Sequence, residues 1–316
     1  LLGGKMRNSV LCYSHILGKT MEDKIARAAD YVKQRQLKVI RLRAGIPAAE
    51  GTFGVKSPQN GPLVEPWNPE EEIYNSIEYF IRVREAVGRD VGIIYDLHER
   101  FSPDQAIRIM RSLERYNPFF IEDPIAPDCV DSLRYVREKT SVPIAFGELY
   151  KSRWECLPAI TGHWVDYIRC DVIRVGGITE ARKIAALAET YDIKTAWHGP
   201  NDVSPITHAV NWHLNVSEYN FGIQEDGTTD GLIREVVSGG PVYENGSLFM
   251  EDRPGIGCDV DEAAAARYPF RKAYIPICRQ PFAEHGAQIF VEQRADLFTP
   301  RLFPVRLIDV CNQQGR

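Results

Sequence analysis

Three apolar runs in this chain end in a carboxylate, and the three acids are evenly spaced. Gly92-Ile-Ile-Tyr-Asp96, Phe119-Phe-Ile-Glu122 and Pro143-Ile-Ala-Phe-Gly-Glu148 place Asp96, Glu122 and Glu148 26 positions apart. A short apolar run between helical segments reads as a buried strand, so each acid falls at a strand's C-terminal rim. In the first run one spacer separates Asp96 from His98, and strand side chains alternate with period two, so the two share a face. Asp-x-His alone recurs by chance; its downstream echo is what constrains the fold. Three rim carboxylates from successive strands make an oxygen-only donor set suited to a hard divalent cation.

The rest of the chain keeps the same rhythm. Strands are expected near 10–13, 38–43, 92–96, 119–122, 143–148, 165–171, 194–198 and 220–225, and helices over 21–36, 70–87, 103–116, 130–139, 154–160, 179–191 and 204–216. Eight strands alternating with helices predict an α/β fold, a closed (β/α)8 TIM-like barrel with its site at the C-terminal ends of the strands. The alternative, a doubly wound open sheet, needs phosphate-binding glycines after the first strand, where the chain reads Leu11-Cys-Tyr-Ser-His-Ile. Residues 44–69 are rich in Gly, Pro and Ala and too long for a plain connection, which suits a functional loop over the rim. Past Glu225 the segment to Gly257 is turn-rich, 262–268 reads as a last helix, and 280–316 shows no period. The expected division is a barrel over 1–279 and a divergent tail over 280–316.

Bulk properties narrow the function classes. The net charge of -5 over 316 residues offers no basic surface for nucleic acid or an anionic membrane. No apolar run of about 18 residues is present, and no signal peptide is expected. Seven scattered cysteines without a Cys-x-x-Cys pair read as reduced thiols in a cytoplasmic setting.

Further rim positions carry the chemistry. Asp171, His198 and Glu225 continue the series, and Asp171 and His198 fall on neighbouring strand ends. A carboxylate beside an imidazole fixes its tautomer and raises its basicity, which suits a general base. His98 stands on the other side of the expected cation. Two imidazoles facing each other across a cation suit removal of a proton next to a carboxylate and expulsion of a β-hydroxyl. Arg41 is a candidate for bidentate contact with a substrate carboxylate, or else a counter-charge to the acidic rim. His15, just past the first strand, either lines the site or is structural. Asp202 is a candidate substrate contact or the N-cap of the next helix. Gly176-Gly177 is read as a tight turn.

The motifs together resemble the barrel domain of the enolase superfamily, in the mandelate racemase subgroup, most closely its mannonate and galactonate dehydratases. The resemblance rests on Leu1-Leu-Gly-Gly, Tyr95-Asp-Leu-His-Glu-Arg100, Ile121-Glu-Asp-Pro124, Gly147-Glu148, Asp166-Tyr-Ile-Arg169, Gly176-Gly-Ile-Thr179, His198-Gly-Pro-x-Asp202 and Asn220-Phe-Gly-Ile-Gln-Glu225. It implies Mg2+ bound by Asp96, Glu122 and Glu148, His98 as the acid for the departing hydroxyl, and contact of Glu225 with substrate or oxyanion; Arg41, Arg169 and Asp202 are the further candidate substrate contacts. Asp171 beside His198 is similar to the racemase and galactonate dehydratase pattern, with catalytic roles for both. The implied reaction is dehydration of an aldonate sugar acid to a 2-keto-3-deoxy acid, and a homo-oligomer is expected. Racemisation and a non-catalytic, sugar-acid-binding regulatory role are the alternatives. Three departures stand out. Phe53 replaces the tyrosine base of mannonate dehydratases, and a phenyl ring takes no proton. The family's capping domain, which precedes Leu-Leu-Gly-Gly, is expected to be missing here. The tail after Arg279 lacks the family's tryptophan-bearing end.

Overall fold

The computed structural model describes residues 2–18, 20–44, 68–128, 130–201, 203–227 and 232–269, with two short segments at 276–277 and 289–290. Phe53, Asp202 and most of the expected rim loop lie outside the described residues. Eight strands form the centre: β1 (Val10–His15), β2 (Val39–Arg43), β3 (Gly92–Asp96), β4 (Phe120–Glu122), β5 (Ile144–Phe146), β6 (Tyr167–Ile168), β7 (Lys194–Thr195) and β8 (Gln224–Glu225). They pair in parallel in chain order from β1 to β7, and β8 returns to β1 through Cys12↔Gln224 and Tyr13↔Glu225. A parallel bridge between Thr195 and Phe221 ties β7 to the approach of β8, closing the expected barrel.

The helices on the outside are α1 (Met21–Arg35), α2 (Pro69–Val87), α3 (Pro103–Leu113), α4 (Val130–Arg137), α5 (Arg153–Thr161), α6 (Ile178–Glu189) and α7 (Pro205–Ser217). Three begin with the same local code, a polar cap followed by proline: Asn68-Pro69, Ser102-Pro103 and Ser204-Pro205. The cap side chain accepts from orphan backbone N–H groups, while proline presets the first helical φ and has no N–H to waste. Ser102 and Gln105 complete a reciprocal capping box, which starts α3 close after the rim residues Asp96 and His98.

Alternation along the strands divides the core in two. One set of side chains, including Ile40, Leu42, Ile93, Tyr95, Ile121 and Ile144, packs outward against the helices. The other set, Tyr13, Val39, Ile94, Phe120, Ala145, Ala196 and Ile223, forms a separate cluster that fills the barrel. The paired strands are shorter than the sequence runs suggest, because β6 to β8 hold ladder hydrogen bonds over only two residues each.

One element in the turn-rich segment after Glu225 goes beyond the sequence expectations. After α8 (Leu232–Val236) and β9 (Val237–Gly239), a hairpin of β10 (Val242–Glu244) and β11 (Ser247–Phe249) adds to the sheet, β11 lying antiparallel to the start of β1. Its turn is Asn245-Gly246, with φ of 49° and 80°. Two successive positive φ values are what a two-residue hairpin turn requires, and Asn-Gly supplies them at low cost. The chain forms two compact units, Leu1–Glu262 and Ala263–Arg316. The expected helix at 262–268 is shorter, spanning Glu262–Ala265, and in the second unit Pro276–Ile277 pairs with Ile289–Phe290.

The end of α7 is fastened to β7 by a buried acid. Glu218 Oε2 accepts from Thr195 Oγ1 and from Trp197 Nε1, both at 3.1 Å, while Oε1 is buried without a partner. Burial pushes this carboxyl up to about 7, against which the two hydrogen bonds work only partly. A raised acid stabilises the fold in its protonated form, so its contribution is complete below its unfolded value and is lost as pH rises through the folded value. The expected result is that Glu218→Gln, which cannot ionise, gains on the wild type by about 2–3 kcal/mol between pH 5 and pH 8. Denaturant unfolding at both pH values measures this, and a constant difference would refute the buried-acid account.

Candidate functional site

The interior of the barrel changes character one step above the apolar cluster. Two residues beyond each inward apolar side chain the same face carries an ionisable group: Tyr13 is followed by His15, Val39 by Arg41, Ile94 by Asp96 and Phe120 by Glu122. Tyr167 is followed by Arg169, Ala196 by His198 and Ile223 by Glu225. The exception is β5, where the residue two beyond Ala145 is Gly147. Its φ is +119°, and a Cβ there would meet the Tyr150 ring at 2.9 Å. Glycine therefore turns the chain at that point and delivers the carboxylate one residue later, as Glu148.

The two arginines are bound to the acids. Arg41 Nη2 pairs with Asp96 Oδ2 and, at 2.6 Å, with Glu122 Oε1. Arg169 is fully buried and reaches Glu225 Oε2 at 2.7 Å, Glu122 Oε1 at 3.1 Å, Glu148 Oε2 at 3.2 Å and the Tyr13 hydroxyl at 3.1 Å. Burial alone would raise Glu225, but Arg169 and then His15 hold it well below the usual carboxylate range. Glu225 also accepts from the backbone N–H of Gly199 at 2.8 Å, fixing the chain just after His198. His15 lies at the mouth with Nε2 2.6 Å from Glu225 Oε1.

The two histidines flank Glu148. His198 Nε2 is 3.6 Å from Glu148 Oε2, and His98 Nε2 is 3.9 Å from Glu148 Oε1. Behind His198, Nδ1 lies 2.8 Å from Asp171 Oδ2, while Asp171 Oδ1 accepts from the backbone of Ile173 and Arg174. Burial works to raise the Asp171 carboxyl, but the His198 hydrogen bond and these N–H groups outweigh it and hold it below its ordinary value. The expected pairing of Asp171 with His198 is thus present, whereas Arg169 turns to the glutamates. Behind His98, Arg100 Nη2 lies 2.9 Å from Nδ1. Burial first, and then the Arg100 charge, push the His98 imidazole down to about 4.

Of the expected metal acids, Asp96 and Glu122 stand opposite each other in the β3–β4 register. Both are drawn to Arg41, and the second Asp96 oxygen accepts from His98 N at 2.7 Å. Among the described residues the acids whose ligand atoms all lie within 4.8 Å of one another are Glu99, Asp123 and Glu148. Burial, then the charges of Glu148, Asp96 and Glu122, push Glu99 up to about 8, and burial with Glu148 and Glu99 raises Asp123. Glu122 Oε2 and Asp123 Oδ2 are buried without a hydrogen-bond partner. Crowded carboxylates with unsatisfied oxygens, and no sulfur or nitrogen among them, fit a hard divalent cation such as magnesium.

Glu99 and Asp123 are absent from the residues that spacing points to, and the reason is conformational. Strict alternation would turn each away from its neighbour Asp96 or Glu122. Glu99 has φ 59° and Asp123 φ 39°, however, and His98 has φ 51°. Left-handed residues break the alternation and bring consecutive side chains to the same rim. Their adjacency to the rim acids is the one signal available in the sequence. Asp202 lies outside the described residues.

Comparison with known proteins agrees with this geometry. Residues 24–264 match the family described as enolase C-terminal domain-like. A D-mannonate dehydratase of Caulobacter sp. (strain K31) is 37% identical over 291 residues, spanning 88% of this chain and 71% of that protein. A D-galactonate dehydratase family member from Streptomyces bingchenggensis is 36% identical over 289 residues, spanning 89% and 70%. Among solved structures, an enolase from Pantoea ananatis with bound D-gluconate and Mg superposes with a TM-score of 0.77 at 35% identity, covering 85% of this chain and 68% of that one. With its closed barrel and rim of acids and histidines, the chain belongs to the enolase C-terminal domain-like family, beside relatives named mannonate and galactonate dehydratase.

Proposed function

We propose that the chain is a magnesium-dependent dehydratase that converts an aldonate to its 2-keto-3-deoxy acid. The observation that carries this reading is the pair of imidazoles whose Nε2 atoms approach different oxygens of Glu148, each with its Nδ1 engaged by a different partner. His198, oriented by Asp171, takes the C2 proton at Nε2. His98 turns its Nε2 to the 3-hydroxyl and supplies the proton with which it leaves as water. Arg41, Arg169, Asp202 and Glu225 are the proposed substrate contacts. Asp96, Glu122 and Glu148 are the proposed ligands for magnesium, with Glu99 and Asp123 adding negative charge beside Glu148. When bound, magnesium supplies the positive charge that lets the substrate carboxylate accept the electrons of the broken C2–H bond. Support comes from the relatives named for mannonate and galactonate dehydration and from the relative solved with D-gluconate and Mg.

A second reading, a sugar-acid-binding homologue without turnover, is favoured by one observation: Arg41 and Arg169 each pair with at least two protein carboxylates. Proton NMR in deuterated buffer with magnesium and a panel of aldonates separates the two, because one spectrum reports both water loss and C2 exchange. Turnover of an aldonate is expected, and binding without loss of water or exchange would favour the second reading.

Two further outcomes are expected. His98→Asn abolishes water loss, by at least about 100-fold, yet retains exchange at C2, as removal of a general acid alone predicts. Dehydration at the wild-type rate would remove His98 from the acid role. Asp96→Asn and Glu148→Gln each weaken magnesium binding by roughly 10- to 100-fold in calorimetry, since each removes an anionic ligand oxygen. Unchanged affinity in either variant would overturn the assigned ligand set.

A further inference from the structure

The two histidines differ in what stands behind them, and that difference carries chemical information. Asp171 is a carboxylate and can only accept, so at 2.8 Å it calls for a proton on His198 Nδ1 and leaves Nε2 as a bare lone pair. Arg100 is a guanidinium and can only donate, so at 2.9 Å it calls for a bare Nδ1 on His98 and leaves the proton on Nε2. Both Nε2 atoms lie toward Glu148, at 3.6 Å for His198 and 3.9 Å for His98, the first a bare lone pair and the second an N–H. Arg100 is itself anchored, since Nη1 donates to the carbonyl of Ala44 at 3.3 Å, just past β2. His98 is further fixed by its own N–H bond to Asp96 and by the left-handed backbone at 98 and 99.

We propose that Arg100 is a positioning residue that sets His98 as the proton-donating member of the pair, the counterpart of Asp171, which sets His198 as the proton-accepting member. The proposal rests on the dehydratase reading for its consequence in turnover, but the tautomers themselves are independent of that reading. A neutral imidazole held with its N–H toward the reacting oxygen is an effective hydrogen-bond donor, and the guanidinium behind it both enforces that state and, as the Nε2 proton passes to the leaving oxygen, donates to Nδ1 against the negative charge left on the ring. The same arrangement withholds a second base. With Nε2 protonated, His98 takes no proton from the opposite face of C2, which directs the site to elimination instead of racemisation.

The test is long-range proton–nitrogen correlation NMR of the 15N-labelled chain near neutral pH, with the His98 ring identified by its loss in His98→Asn. In the wild type, His98 is expected to show a protonated Nε2 and a bare Nδ1, and His198 the reverse. Arg100→Met keeps an unbranched apolar stem and removes the donor; it is expected to give His98 a mixture of tautomers while the His198 signals stay in place. Arg100→Lys, whose ammonium also only donates, is expected to restore the wild-type pattern. In turnover, Arg100→Met lowers kcat roughly 10- to 100-fold with KM within about twofold, the range of a lost acid–base contribution. A protonated Nδ1 on wild-type His98, or an unchanged Nε2 proton in Arg100→Met, overturns the proposal; the wild-type spectrum alone can do so if the variant does not fold. The expected tautomers without turnover of any aldonate would support the orienting role of Arg100 and remove the dehydratase reading instead.

Discussion

The pairing of Arg41 and Arg169 with the acids of the barrel mouth is the interaction on which the rest of the site depends. Asp96, Glu122 and Glu225 are almost completely buried, as is Arg169. Several like charges confined to one closed ring of strands would repel one another strongly in a medium of low polarity. The guanidinium forks are placed to contact two or three carboxylates each. Removing one member would leave its partners buried and uncompensated, a loss of about 3–5 kcal/mol for a buried pair. Stability of the mouth and availability of its oxygens are therefore the same question, and any cation or sugar acid entering the site competes with these arginines.

The closed barrel is what makes this layer possible. In β1 to β4 and in the β6 to β8 segments, an apolar inward residue is followed two positions later by an ionisable one, so the lower layer excludes water and the upper layer meets it. That arrangement is legible in the chain because strand alternation is a short-range rule that needs no knowledge of neighbours. Asp171 beside His198 is legible too, since parallel neighbours in chain order place successive rims side by side. Two things escape such a reading. Glu99 and Asp123 come to the rim through left-handed backbone, which the residue types Glu and Asp do not announce as glycine would. The hairpin at 242–249 is carried by Asn245-Gly246 with only three residues paired on each side, too short for alternation to register against the surrounding turns. Arg41 and Arg169 are legible as cations on the inner face, but whether they meet substrate or protein acids depends on distances that spacing does not encode.

His98 and His198 are the same side chain in comparable places, each at the end of a parallel strand and each turned toward Glu148. A residue inventory gives them the same role, and in a site of this kind that ambiguity separates elimination from racemisation. What distinguishes them is one atom further out. A carboxylate behind one ring and a guanidinium behind the other demand opposite proton positions, because the first cannot donate and the second cannot accept. The partners also differ in how they are held. Asp171 is fastened by two backbone N–H groups of its own loop, whereas Arg100 reaches from the β3 rim to the carbonyl of Ala44 at the end of β2. The accepting histidine is thus oriented locally and the donating one by a contact between two strands. On the proposed reading, the direction of proton traffic in this barrel is set by groups that need not touch the substrate.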